Sequence, residues 1–231
     1  MLLNRALGAA LAVILSALSA RILTPSQLGS IVITIASVGV LMRIISLGLG
    51  QSAQFYGARE SSENRNYRRS LLIAALPVTV ISSIALYITG PYAAKLVLAR
   101  DPQAQELFKL LQYGIPLSFI HFVASLYILG RREMRLYFWI SQLPVLFSVL
   151  ILVWGLAAGL GVPSVVWAWM SQYALSFIMG AVVFIRRSDP PGAAPLSSVG
   201  TMFACGQKSY VVAMAAFAAG RVGLIMAPWF T

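Results

Sequence analysis

The chain has 231 residues, of which 59% are hydrophobic and 10% charged. Soluble domains average about 45–50% apolar and about 25% charged, so an ordinary soluble domain and a disordered chain are both excluded. The formal net charge is +11, one histidine (His121) and one cysteine (Cys205) are present, and acids number six. An internal disulfide and a cysteine metal centre are ruled out by supply.

Seven apolar segments follow in chain order: about Leu2–Leu23, Leu28–Phe55, Ser70–Thr89, Leu110–Leu129, Leu136–Leu160, Ser164–Ile185 and Ser209–Phe230. Each is long enough for a membrane helix, which needs about 20 residues, and none alternates as barrel strands do. The expected fold is therefore all-α and polytopic. The first segment has a rival reading as a cleaved leader, with Arg5 ahead of the apolar run and Ala17-Leu18-Ser19 at cleavage spacing. The run continues past that point, and Thr24-Pro25 then starts a new helix, with Thr24 as cap and Pro25 in a position that needs no N–H. A retained span is the expectation.

Lysines and arginines alternate between the two sides. Arg5, Arg59, Arg65, Arg68, Arg69, Arg131, Arg132, Arg135, Arg186, Arg187 and Lys208 fall on one side; Arg21, Lys95, Arg100 and Lys109 fall on the other. The richer side is expected to be cytoplasmic. That places the N-terminus inside and the end of a seventh span outside. In a membrane chain the positive balance reports topology, and nucleic acid is not an expected partner.

Pro91–Lys109 is a longer, mixed connection in which Asp101-Pro102 signals a short surface helix. Ser188–Lys208 contains Asp189-Pro190-Pro191-Gly192 and reads as a linker. The expected division is a six-helix lobe over 1–187, a cytoplasmic linker over 188–208, and the first helix of a second lobe over 209–231.

The second segment carries the candidate site. At 100° per residue, Ala36, Gly39, Arg43, Ser46, Gly50, Gln54 and Gly57 share one face, opposite Ile, Val and Leu. Arg43 lies well inside this segment, where a charge is costly and faces protein or a wet cavity. Two readings stand. Arg43 either snorkels or pairs with a carbonyl, or it is a cavity cation for an anionic substrate, with Gln51 and Gln54 donating to the same ligand. His121 sits mid-span with Gly114, Ser118 and Ser125 on neighbouring turns. It is either a satisfied interior hydrogen bonder or a proton-sensitive group, for which no intramembrane carboxylate partner is evident. Pro77, Pro116 and Pro144 fall inside spans, and Gly155-x-x-x-Gly159 fits a helix-contact motif. Trp139, Trp154, Trp167 and Trp169 lie towards span ends, as interfacial aromatics do.

There is no Walker A loop, no His-Glu-x-x-His and no Gly-x-Ser-x-Gly. The acids are scattered over loops with no Asp-x-Asp pair. The expectation is a transporter with neither catalytic residues, cofactor nor metal. A drug or toxin exporter of the same fold is an alternative, though one taking cations would carry intramembrane carboxylates. A membrane enzyme or scaffold of envelope glycan synthesis is another.

The first and seventh segments end alike, in Ala20-Arg21-Ile22-Leu23-Thr24 and Ala227-Pro228-Trp229-Phe230-Thr231. The latter follows a stripe of Ser209, Ala213, Ala216, Gly220 and Gly223. A second repeat is expected to begin there, since parallel six-helix repeats are a common transporter plan. Ala20-Arg21-Ile22-Leu23-Thr24-Pro25-x-x-Leu28-Gly29 and Leu47-Gly48-Leu49-Gly50-Gln51 resemble the opening of the oligosaccharide flippases of bacterial polysaccharide synthesis (Wzx type). Their superfamily also holds the lipid II flippases and the multidrug and toxin exporters. The resemblance implies two six-helix lobes around a central cavity that rock to give alternating access. It implies an undecaprenyl-pyrophosphate-linked oligosaccharide as substrate, moved across the bacterial inner membrane for polysaccharide or O-antigen synthesis. Arg43, before Ile44-Ile45-Ser46-Leu47-Gly48, looks like the arginine that serves the pyrophosphate in lipid II flippases; Arg221 is a candidate for similar work in the second lobe. With about seven spans, the chain is expected to be the N-terminal half of such a transporter, completed by a C-terminal half or a second copy. Membrane lipids and the lipid-linked oligosaccharide are its expected partners.

Overall fold

A computed structural model describes residues 2–63, 67–97, 102–111, 113–186, 200–207, 210–212 and 215; the side chains of some helical residues, those of Arg43 and Glu60 among them, lie outside the description. The described residues are helical and contain no strand. The elements are α1 (Leu2–Ile22), α2 (Pro25–Ile45), α3 (Leu49–Glu63), α4 (Arg68–Val97), α5 (Pro102–Leu111), α6 (Gly114–Gly130), α7 (Met134–Ala157) and α8 (Val162–Arg186). Helical backbone resumes over 200–207.

Local sequence accounts for several boundaries. α2 opens on a reciprocal cap: the Gln27 N–H donates to Thr24 Oγ1 (3.4 Å), and the Thr24 N–H donates to Gln27 Oε1 (3.0 Å). Two otherwise unpaired donors are thereby satisfied. α5 begins at Pro102, where the Asp-Pro signal sits, and buries Phe108 while Glu106 and Lys109 stay exposed. α7 ends in a left-handed glycine turn. Gly159 has φ 68°, and the Gly159 N–H and Leu160 N–H donate to the Leu156 and Gly155 carbonyls.

Four expectations change. The second apolar segment is not one helix: it breaks at Ser46–Gly48 into α2 and α3. Leu47 (φ 46°) and Gly48 (φ 81°) are both left-handed there, a conformation that ends an α-helix. Pro116 lies in the first turn of α6, where no N–H is needed, so it kinks nothing. In the Gly155–Gly159 pair only Gly155 makes a helix contact, against Ser164 of α8, while Gly159 serves the turn. The 188–208 linker is helical over its 200–207 part and docks on the bundle through the buried Met202.

α6 is the axis of the bundle. It packs against α3, α4, α7 and α8 and buries Phe119, Ile120, Val123, Ala124, Tyr127 and Ile128. α3 and α8 run parallel to it. Along α6 and α8, Gly114 meets Tyr173, His121 meets Gly180, and Tyr127 stacks on Phe184 (6.4 Å between centroids). Along α3 and α6, Gly50 meets Phe122 and Leu126, and Gly130 meets the backbone of Gln54 and Ala58. One core cluster gathers around α6; a second joins Leu11 and Leu15 of α1, Leu23, Ile31 of α2, Val149 and Leu152 of α7, and Val165 and Ala168 of α8.

The polarity of this bundle is that of a protein solvated by lipid. Large apolar side chains line its outside: Leu76, Val80, Ile84 and Ile88 down α4, and Leu146, Leu150 and Trp154 down α7. Small hydroxyls are buried instead, and many are satisfied by their own helix. Ser19 donates to the Leu15 carbonyl (2.8 Å), Ser125 to Phe122 (3.0 Å), and Ser148 to Val145 (2.7 Å). In water this arrangement is unfavourable; in hydrocarbon, where helices associate by close packing of small residues, it is favourable. Arg68–Tyr92, Met134–Ala157 and Pro163–Ile185 are each long and apolar enough to cross a membrane, and Ala6–Ile22, Pro25–Ile35 and Pro116–Gly130 are shorter apolar helices. The chain has the all-α fold of a polytopic membrane protein.

Candidate functional site

The interruption between α2 and α3 organises the candidate site. Arg43 belongs to the last turn of α2, three residues before Ser46. A cation there complements the negative end of the helix dipole. Beyond the break, the Leu49 N–H donates to the Ser46 carbonyl (2.8 Å) and the Ser52 N–H to the Gly48 carbonyl (3.1 Å), which restarts the helix as α3. Gln51 stands in the first turn of α3, with its Oε1 buried and without a hydrogen-bond partner. Gln54, one turn on, is exposed.

The shared face inferred for 36–57 assumed an unbroken helix. With Leu47 and Gly48 left-handed, the angular register resets, and a common face for Arg43, Gln51 and Gln54 no longer follows from residue spacing. The Arg43 side chain and the whole of Arg221 lie outside the described residues.

His121 sits on the α8 side of α6. Its backbone abuts Gly180, and its ring hydrogen-bonds to the Ser176 backbone, while Nδ1 is buried with no partner. α3 packs on a different stripe of α6, that of Phe122, Leu126 and Gly130. The described contacts thus separate the stripe of α6 that meets α3 from the side on which His121 meets α8. Gln172 Oε1, one turn before Ser176 on α8, is a further buried acceptor without a partner.

Sequence reasoning missed a contact that the structure makes prominent. Residues 200–207 and Tyr210 lie across the α2–α3 break. Gly206 stands so close to Gly48 that a Cβ on either would strike the other's backbone. Ser52 donates to the Met202 carbonyl, Tyr56 pairs with Thr201 Oγ1 (3.4 Å), and Tyr210 donates to the Ile44 carbonyl (2.9 Å). The signal was present in Leu47-Gly48-Leu49-Gly50, where Gly50 was read as part of a small-residue face and Gly48 only as part of the resemblance.

The arginine-rich loops meet at one end of the bundle. Gly130 against Gln54 and Ala58 brings the α6–α7 corner to the end of α3, and Tyr56 against Tyr67 (4.8 Å between centroids) brings the start of α4 beside it. Arg59 lies over the Phe55 ring at 5.3 Å. Arg131 bonds Glu133 Oε1 through Nε (2.8 Å) and donates from Nη1 to the Tyr127 hydroxyl (3.2 Å).

Compared with known proteins, the chain matches no curated sequence and no solved structure. Residues 18–227 match the family described as polysaccharide biosynthesis protein. That match spans every helix from the end of α1 onward, including the α2–α3 break and the segment docked across it. The chain belongs to the polysaccharide biosynthesis protein family.

Proposed function

We propose that this protein is a membrane transporter, not an enzyme, and that it moves an undecaprenyl-pyrophosphate-linked oligosaccharide across the bacterial inner membrane. The arginine-rich end of the bundle faces the cytoplasm, and the glycan leaves for the periplasmic side. Family membership ties the chain to polysaccharide synthesis. A lipid-facing exterior around a hydroxyl-lined interior ties it to the bilayer, where the lipid-linked intermediates of that synthesis reside.

The observation that carries the transport reading is the interruption of the second apolar segment at Ser46–Gly48. Discontinuous helices are where secondary transporters build polar sites, because the broken backbone supplies uncompensated donors, acceptors and dipole ends. Arg43 precedes the break and Gln51 follows it. A diphosphate drawn from the headgroup zone loses hydration; a guanidinium and an amide at the break offset that loss by charge-assisted hydrogen bonds in a low-dielectric setting. The sugar, which carries many hydroxyls, takes the remaining polar contacts.

Replacing Arg43 tests this reading. Arg43→Ala is expected to abolish appearance of lipid-linked glycan at the outer leaflet with protein level unchanged, and Arg43→Lys to restore part of it, since a point charge replaces a two-pronged donor. Undiminished export by Arg43→Ala removes Arg43 from the site.

A further inference from the structure

We infer that the corner joining α6 to α7 is a docking surface for the phosphodiester headgroup of an anionic phospholipid. Three observations meet there. Arg131, Arg132 and Arg135 surround a single acid, Glu133, and that carboxylate is taken by Arg131 at 2.8 Å. Arg132 and Arg135 are exposed, and no described side chain pairs with either. Arg132 also holds a left-handed backbone (φ 60°) in the turn between the two helices.

The third observation is what lies beside these charges. Trp139 is one turn beyond Arg135 on α7 and 55% exposed, packed edge-on against Phe138 (5.5 Å between centroids). Arg135 and Trp139, four residues apart, share a face of α7. A tryptophan on the outside of a membrane helix settles at the headgroup level. The two uncompensated guanidiniums therefore stand at the depth where phosphodiesters are found. Exposed Arg69, at the start of α4, adds to the positive field of the same end. Basic clusters next to membrane helices recognise anionic lipid, each charge contributing about 1 kcal/mol, or roughly fivefold in affinity. A zwitterionic lipid cancels its own phosphate and gains little.

The inference needs only that the chain resides in a bilayer, so it stands or falls separately from transport. The purified full chain is extracted in mild detergent, and bound lipid is counted by native mass spectrometry with phosphatidylglycerol or phosphatidylcholine supplied. Retention of phosphatidylglycerol is expected to exceed that of phosphatidylcholine. Arg132→Gln with Arg135→Gln is expected to lower it by roughly 20- to 30-fold, twice the fivefold step in logarithm. Arg21→Gln, at the exposed far end of α1, is expected to leave it unchanged. Equal retention of the two lipids, an unaffected double variant, or an equal loss in Arg21→Gln overturns the proposal. So does displacement of the lipid by inorganic phosphate at constant ionic strength, which would mark a site for free phosphate. A circular-dichroism melt of the double variant that matches the wild type shows that the loss is one of binding and not of fold.

Discussion

Adding one methyl group at Gly130 separates the close-packing account of this bundle from a generic one. Gly130 ends α6 against α3, and a Cβ built on it would stand 2.9 Å from the Gln54 carbonyl carbon and 3.1 Å from the Ala58 nitrogen. Ordinary van der Waals contact begins near 3.4 Å. Both obstacles are backbone, so no rotamer change relieves them and the two helices must part. Overpacking of this kind costs about 1–3 kcal/mol, which for a chain of this size lowers the melting temperature by roughly 4–8 °C at the midpoint of that range. Gly29→Ala is the internal control. Gly29 lies in exposed α2 with nothing within 4 Å of its Cβ position. There the change to alanine removes a helix penalty of about 0.5–1 kcal/mol and is expected to be neutral or stabilising. The assay is thermal loss of the monodisperse peak of detergent-purified protein on size exclusion. A Gly130→Ala protein that melts with the wild type, or a Gly29→Ala protein that falls as far, refutes the reasoning.

Gly206→Val is expected to lift the 200–207 helix off the α2–α3 break, because its Cβ would strike the Gly48 backbone. Cys205, the sole cysteine and half-buried, then reacts faster with a maleimide; loss of one inter-helix hydrogen bond of about 0.6 kcal/mol alone corresponds to roughly threefold. An unchanged rate overturns the docking. For orientation, Lys208→Cys in a Cys205→Ser background is expected to stay shielded from an impermeant thiol reagent in intact cells, and labelling from outside would invert the proposed topology.

What was legible in the sequence is what local chemistry dictates. The Thr24 cap and the start of α5 at Pro102 followed from short-range rules, because capping and helix-start preferences act within one turn, and α7 and α8 followed from apolar runs whose limits lie within a turn of theirs. The break at Leu47 and Gly48 was not legible. A helical wheel presumes a continuous helix, and glycine inside an apolar run signals close packing and chain reversal alike. At this point both readings apply, since Gly48 is left-handed and also receives Gly206. Leu47 misleads further, because a branched side chain argues against the positive φ it adopts. The candidate site fared accordingly. Gln51 and His121 each hold a buried side-chain atom lacking a partner, but they stand on different helices, and α3 and α8 dock on different stripes of α6. Arg43 is located along α2 by its backbone alone.

The hydroxyls inside the bundle bear on how it can move. Ser19, Ser125, Ser148 and Ser164 each give their proton to a carbonyl three or four residues back in their own chain. Neighbouring helices therefore slide past such a residue without rupturing any bond between them, as two greased rods turn more readily than two rods tied together. Ser52 is tied: it reaches across to Met202. Shear is easy along the serine-lined seams and hard where Ser52 meets Met202, Tyr56 meets Thr201 and Tyr210 meets Ile44, so motion within the bundle should pivot where the 200–207 helical segment is fastened.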